Sequence, residues 1–254
     1  MAVTRAGAVA TLWLNRPAKR NAVTHAMWRA LAAACPALAA DPGVRVLVVR
    51  GVGDHFCAGA DIGELHTVDA TAYAAATRAA EEALAGFPKP TIAFVTGSCV
   101  GGGAEIAIAC DLRIADGTAR FGITPARLGI VYPSFAIERA VRLLGPSATK
   151  HLLYSAELVG PERALGIGLV DEVHEPAAAP GRLADLTRLM AEERSALTQQ
   201  ASKQLVDAAV SGPIDPALTR RWAAEVASSG DPAEGAAAFA ERRSPRFTWV
   251  APQG

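Results

Sequence analysis

Apolar positions along the first half of the chain switch repeatedly between two periods. Ala8–Leu14 alternates small apolar residues with β-formers, which predicts a strand stopped at Asn15-Arg16-Pro17. From Asn21 to Ala39 the apolar residues, Met27, Leu31 and Leu38 among them, recur at helical spacing. Val44–Val49, in VRVLVVRG between Gly43 and Gly51, is a β-branched run of the kind found in buried strands. An Ala-rich helix is predicted over Asp69–Leu84, ending before Gly86 and Pro88. Thr91–Val95 is the next buried strand, Gly103–Ala109 the next helix and Leu112–Ala115 a short strand after it. Beyond about Ser134 the pattern is helical, punctuated by Pro161, Pro180, Pro213, Pro216 and Pro232.

Alternating strands and helices followed by helices alone imply an α/β core with a C-terminal helical region. VRVLVVRG leading to AGADIGEL, and TIAFVTG leading to GGGAEIAI, share one logic of strand, glycine loop and helix, as a repeated ββα unit would. At 254 residues, 51% hydrophobic and 20% charged, the chain can bury one sizeable core and is not of disordered composition. Its 25 basic residues balance 25 acidic ones, which argues against nucleic acid or an anionic membrane as partner. The N-terminus has no charged stretch leading into an apolar one, and no apolar run reaches the ~18 residues of a membrane span, so a cytoplasmic protein is expected. Cys35, Cys57, Cys99 and Cys110 lack C-x-x-C spacing, which predicts buried free thiols and no metal site.

Three segments carry candidate chemistry: FCAGADIGEL at 56–65, TGSCVGGGAEIAIACDLRIAD at 96–116 and FGITPARLGIVY at 121–132. The first two set glycines beside a helix start. Glycine permits close backbone approach, and the first-turn N–H groups of a helix lack internal partners and carry positive potential. Two such groups aimed at one point make an oxyanion hole. Glu105, three residues beyond Gly102, can share its helix face, and the apolar IAIAC that follows implies that its carboxylate is buried. TGSCVGGG also fits the T-G-x-x-x-G-x-G loop of short-chain dehydrogenases. However, it starts at Thr96 instead of after a first strand, and Tyr73, Tyr132 and Tyr154 are followed four residues on by Thr77, Ala136 and Leu158, never Lys. Ser98 is not in a G-x-S-x-G elbow. His55 and His66 flank the first loop and read as solvated residues.

Taken together and in order, these segments resemble the enoyl-CoA hydratase/isomerase (crotonase) family. LNRPAKRNAV at 14–23, PERALGIGLVDEV at 161–173 and FAERRSPRF at 239–247 extend the resemblance over nearly the whole chain. It implies a crotonase-like spiral of repeated ββα units over residues 1–190, with a C-terminal helical trimerisation region over 191–254. It also implies an acyl-CoA substrate, trimers or dimers of trimers, and no cofactor or metal, coenzyme A being part of the substrate. By position, Ala60 and Gly102 match the two oxyanion-hole donors and Glu105 matches the first of two catalytic glutamates. Ala58, Asp61 and Ile62 lie on the loop that lines the adenine pocket in the family. Arg243 and Phe247 sit where a neighbouring subunit closes over the nucleotide, in a tail made basic by Arg242, Arg243 and Arg246.

One departure bears on the reaction. The family's second glutamate falls at the fifth position of FGITPARLG, where this chain has Pro125. Hydratase or isomerase chemistry through a thioester enolate is the leading expectation. TPARLGIVY also resembles the methylmalonyl-CoA decarboxylase branch, whose active-site tyrosine matches Tyr132, although that branch carries His at the place of Ala60. The remaining alternative is a catalytically silent CoA-binding member. If Glu105 is not the reactive acid, Glu138, on the helix after Tyr132, is the next candidate.

Overall fold

The computed structural model describes residues 1–64 and 67–251; Leu65 and His66 lie outside the described residues. The chain opens with an antiparallel pair, β1 (Ala2–Ala6) and β2 (Val9–Leu14), and then α1 (His25–Ala40) and β3 (Val46–Gly51). Next come α2 (Ala70–Ala85), β4 (Thr91–Val95), β5 (Ser98–Val100), α3 (Gly102–Ala109), β6 (Leu112–Asp116) and β7 (Arg120–Gly122). The remainder is α4 (Ser134–Ser155), α5 (Pro161–Gly166), β8 (Glu172–His174), α6 (Ala179–Glu192), α7 (Ala196–Ser211), α8 (Pro216–Ser229) and α9 (Asp231–Glu241). One six-stranded sheet runs β1-β2-β3-β4-β6-β8, parallel from β2 onward, and β5 pairs with β7 in a second, parallel sheet of two strands.

Both faces of the central strands β3 and β4 are covered, which is why these two read as apolar runs. On one face Leu47, Val49, Ala93 and Val95 join Trp28 and Leu31 of α1, Leu84 of α2 and Ile106 of α3 in the main core. On the other, Val46, Val48, Ile92 and Phe94 pack with Ala179 and Leu183 of α6. Leu197 and Trp222, with Trp249 against them, form a separate small cluster among the C-terminal helices. The four cysteines are free and buried. Among the described residues no helix is long and apolar enough to cross a membrane.

The α/β architecture with its C-terminal helices is the one expected, and Thr91–Val95 falls on β4 residue for residue. The first helix starts later than the periodicity indicates. Thr24 caps it, its side chain accepting the Met27 N–H at 3.2 Å. Asn21, placed in the helix by its sequence, instead adopts a left-handed conformation at φ 59°. Its fully buried side chain accepts the Arg16 N–H at 2.9 Å and donates to the carbonyls of Val52 at 3.0 Å and His55 at 2.6 Å. Asn21 thus fastens the exit from β2 to the turn after β3, the segment that leads into the first glycine loop. Asn21→Ala strands these buried groups and is expected to lower unfolding stability by about 2–4 kcal/mol. Urea titration of the two proteins checks it, and a change within 0.5 kcal/mol (about the scatter of surface substitutions) would contradict it.

Candidate active site

The two glycine loops lie side by side. Phe56 N–H donates to Thr96 O at 2.8 Å and Cys57 N–H to Ser98 O at 2.7 Å, and Val100 N–H returns a bond to Cys57 O at 3.0 Å. The first loop therefore runs as an extra strand along β5. Close approach explains the glycines: a Cβ on Gly59, which sits at φ 108°, would lie 3.0 Å from Val100 O, and one on Gly103 would lie 2.4 Å from Cys57 O. His55 is not simply solvated, because its Nδ1 accepts the Ser98 N–H at 3.1 Å and ties the turn after β4.

This packing leaves two donors over. Val23 N–H donates to Gly59 O and Asp61 N–H donates to Val23 O, so by strand alternation the Ala60 N–H faces the other way. Gly102 opens α3, where a first-turn N–H has no intrahelical acceptor. Among the described residues neither Ala60 N–H nor Gly102 N–H donates to any group. They are neighbours: a Cβ on Gly102 would sit 3.4 Å from Ala60 N and 2.9 Å from the Trp28 ring. Trp28 is held in turn by its Nε1–H, which donates to the Tyr73 hydroxyl at 3.0 Å.

Glu105, whose N–H donates to Gly101 O at 3.0 Å, is buried one turn into α3. It borders a cavity of about 10 Å³, enough for one water, together with Glu81, Ile108, Ile123, Tyr132, Ala136 and Arg139. Glu81, on α2, was not singled out in the sequence. It is 1% exposed, and its Oε2 accepts from Arg139 Nη1 at 2.8 Å, while Oε1 is buried without a partner. The Tyr132 hydroxyl is buried there and likewise has no partner. Burial pushes the Glu105 carboxyl up from its ordinary range, opposed by the neighbouring polar groups of Glu81 and Tyr132. Burial and then the Glu105 charge push Glu81 up, against Arg139. Burial and Glu105 push the Tyr132 phenol well up, so it stays protonated. Two carboxyls facing one guanidinium in an apolar pocket disfavour joint ionisation and favour a proton shared between them.

The remaining expected residues divide. Glu138 is not in the pocket: it is solvent-exposed and faces Arg142 at 4.0 Å, and the next residue, Arg139, points inward instead. Ala58, Asp61 and Ile62 follow the first loop. Ala58 is half-buried, Ile62 is exposed, and Asp61 pairs with Arg16 at 2.8 Å, which holds its carboxyl below the usual range. Arg243 and Phe247 are not brought to the N–H pair. They line a cleft of about 1160 Å³ against α7 and α9, which shares Ile108 and Arg139 with the Glu105 cavity but is not lined by Ala60, Gly102 or Glu105. Arg243 is also committed within the chain, to Glu234 at 2.6 and 2.9 Å and to Glu241 at 2.6 Å, so the tail is less basic than its sequence implies. Pro125 is buried in a short 3-10 turn.

Residues 4–249 match the model of the enoyl-CoA hydratase/isomerase family. The chain belongs to that family. It is 33% identical to the crotonyl-CoA hydratase of Syntrophomonas wolfei over 250 residues, covering 94% of each chain. It is 34% identical to the 2,3-dehydroadipyl-CoA hydratase of Escherichia coli, covering 96% of this chain and 97% of that one. The crystal structure of an enoyl-CoA hydratase/carnithine racemase from Magnetospirillum magneticum superposes with a TM-score of 0.93 at 32% identity, over 97% of this chain and 94% of the other. Enoyl-CoA hydratase/isomerase members act on acyl-CoA, and this chain is a member over nearly its full length.

A shared carboxyl proton has a stability signature. Both glutamates have their folded pKa raised, so the native chain binds a proton that the unfolded chain has released above about pH 4.5. Native stability is therefore lost as pH rises from that range through the raised folded value. Glu81→Gln removes this proton linkage while keeping an acceptor for Arg139. Relative to the parent, the variant is expected to gain about 1.4 kcal/mol per pH unit between pH 6 and 8. Parallel urea curves for the two proteins across that interval would contradict the shared proton.

Proposed function

We propose that this enzyme adds water to, or shifts the double bond of, an enoyl-CoA through a thioester enolate, with hydration the leading reaction. The reading is carried by one observation: the free Ala60 and Gly102 N–H groups lie side by side, one helical turn from buried Glu105. The thioester oxygen accepts from both N–H groups. Negative charge gathers on that oxygen as the enolate forms, and fixed donors at the start of a helix stabilise the developing charge more than the ground state. In hydration, water adds at the β-carbon while a proton is placed on the α-carbon. In isomerisation, one carboxylate takes the α-proton and returns it at the γ-carbon. Glu105 is the proton-transferring group in either case. Coenzyme A enters as part of the substrate, with Ala58, Asp61 and Ile62 on the loop beside its nucleotide, and no further cofactor is required. The hydratase names of the relatives above support hydration over decarboxylation.

A panel of enoyl-, β,γ-enoyl- and methylmalonyl-CoA esters followed by mass spectrometry in D₂O separates the reactions. Hydration adds one water, isomerisation leaves the skeleton with exchanged deuterium, and decarboxylation loses carbon dioxide. Recovery of every ester unchanged and undeuterated would overturn the proposal in favour of a silent CoA-binding protein. Glu105→Gln is expected to cut turnover by roughly 10²–10⁴-fold. Its CoA-ester affinity by calorimetry should stay nearly unchanged, because the oxyanion donors are backbone groups. Full turnover in this variant would move the reactive acid elsewhere.

We also propose a trimer or a dimer of trimers. Phe239 on α9 is 88% exposed, and Val206 and Val210 on α7 are exposed as well, an apolar surface suited to a second copy. Light scattering at micromolar concentration is expected to give a trimer or hexamer mass, and a monomer would contradict it.

A further inference from the structure

Hydration and isomerisation both take up and give back a proton, and the family pattern supplies a second carboxyl for this at a position where the chain has buried Pro125. The pocket behind Glu105 nevertheless holds a second carboxyl, delivered from a different element. Glu81 comes from α2, 1% exposed, with Arg139 of α4 on Oε2 at 2.8 Å and with Oε1 unpartnered beside Glu105. A merely structural ion pair has no use for that arrangement. It would satisfy both oxygens, and it would not be placed beside another buried carboxylate, which leaves the pocket with excess negative charge. A proton on Glu81 Oε1, donated to Glu105, removes both difficulties at once.

We propose that Glu81 is a positioning residue that acts on the reaction through Glu105: clamped by Arg139, it donates its carboxyl proton to one oxygen of Glu105 and turns the other toward the thioester. The inference rests on Glu105 being the proton-transferring group. The substrate α-C–H or a water O–H breaks and an O–H forms on the outer oxygen of Glu105, the electron pair passing to the thioester oxygen or to the new C–O bond. Glu81 keeps its own proton as the donor to the inner oxygen. Glu105 then gives its proton to carbon, and the pair returns to one shared proton, with nothing oxidised or reduced. The groups facing Glu81 are Glu105 from α3, Arg139 from α4 and Tyr132 from the segment before α4. Tyr73 of α2 and Cys57 of the first loop stand further round Glu105.

The test is the pH profile of kcat/KM on whichever enoyl-CoA ester the parent converts, for the parent, Glu81→Gln and Glu81→Leu. The active parent holds one proton on the pair, so its rate falls at high pH as that proton leaves. Glu81→Gln still donates to Glu105 but cannot lose a proton, so it should keep neutral-pH turnover within about threefold while the alkaline fall disappears. Glu81→Leu donates nothing and should lose about 10–100-fold in kcat with little change in KM, the scale found when an outer partner that orients a metal ligand is removed. An unchanged alkaline limb in Glu81→Gln overturns the inference, as does full parental kcat in Glu81→Leu. If Glu81→Leu does not fold, the Gln profile alone decides. The failure of the underlying reading looks different, because Glu105→Gln would then retain turnover whatever the position 81 variants do.

Discussion

A backbone N–H left without an acceptor inside a protein costs about 1–3 kcal/mol, and this fold holds two of them within one small space. Ala60 and Gly102 can be spared from the hydrogen-bond ladders only because everything around them is over-determined. The first loop is stitched to β5 on one side through the Cys57 N–H and to Val23 on the other through the Gly59 carbonyl and the Asp61 N–H, which flank Ala60. Gly102 is spared because a helix begins there, and the helix begins there because Gly101 turns through φ 54° with its N–H on Gly122 O. The short β5–β7 sheet exists at this junction, so the secondary structure hardest to read from the sequence is the part that fixes the donors. Trp28 closes the space beside Gly102 and any side chain there would strike its ring, which ties the first helix to the geometry of the second loop.

The same local order sets the charge of the pocket. An anion-stabilising pair of N–H groups attracts negative charge, and α3 carries its own carboxylate one turn in. Arg139 does not bond Glu105 directly. It bonds Glu81, and Glu81 meets Glu105, so the guanidinium is set one carboxyl further back. In the proposed reaction, a cation bonded directly to Glu105 would lower its proton affinity and quench it as a base. An intervening protonated carboxyl supplies orientation without that penalty.

The parts of this arrangement legible in the sequence are those with a local signature. β3 and β4 announce themselves as apolar runs, and Glu105 is marked by its spacing from Gly102 and the apolar stretch after it. Glu81 is harder to see because α2 is so rich in alanine that its buried and exposed faces differ little in hydrophobicity, and because Glu82 next to it is an ordinary exposed partner of Arg78. The clue was present: Tyr73, Thr77 and Glu81 recur at i, i+4 and i+8, on the face that also carries Ala80 and Leu84. The reversal of Glu138 and Arg139 has the same origin. On α4 the inward register is set by Ala136 and Ala140, and Arg139 rather than Glu138 lies three residues from the first. Strands β5, β7 and β8 have three residues each, too few for any period to show.

The C-terminal tail shows where reading charge from composition fails. Three arginines in a short stretch suggest an anion site, but a guanidinium is available to a ligand only if nothing nearer claims it. Glu234 and Glu241 both claim Arg243, Glu234 through two parallel hydrogen bonds, and Glu234 also accepts the Arg246 N–H. That network fastens the chain end to α9 and orients Phe247 toward Gly235. In an isolated chain Arg243 is thus a brace for the tail. For it to reach a phosphate, the ligand would have to replace bidentate carboxylate bonds with others of equal geometry. The apolar wall of the cleft beside α9 is offered by Phe239 and Phe247, while the Arg243 charge is already neutralised by two carboxylates.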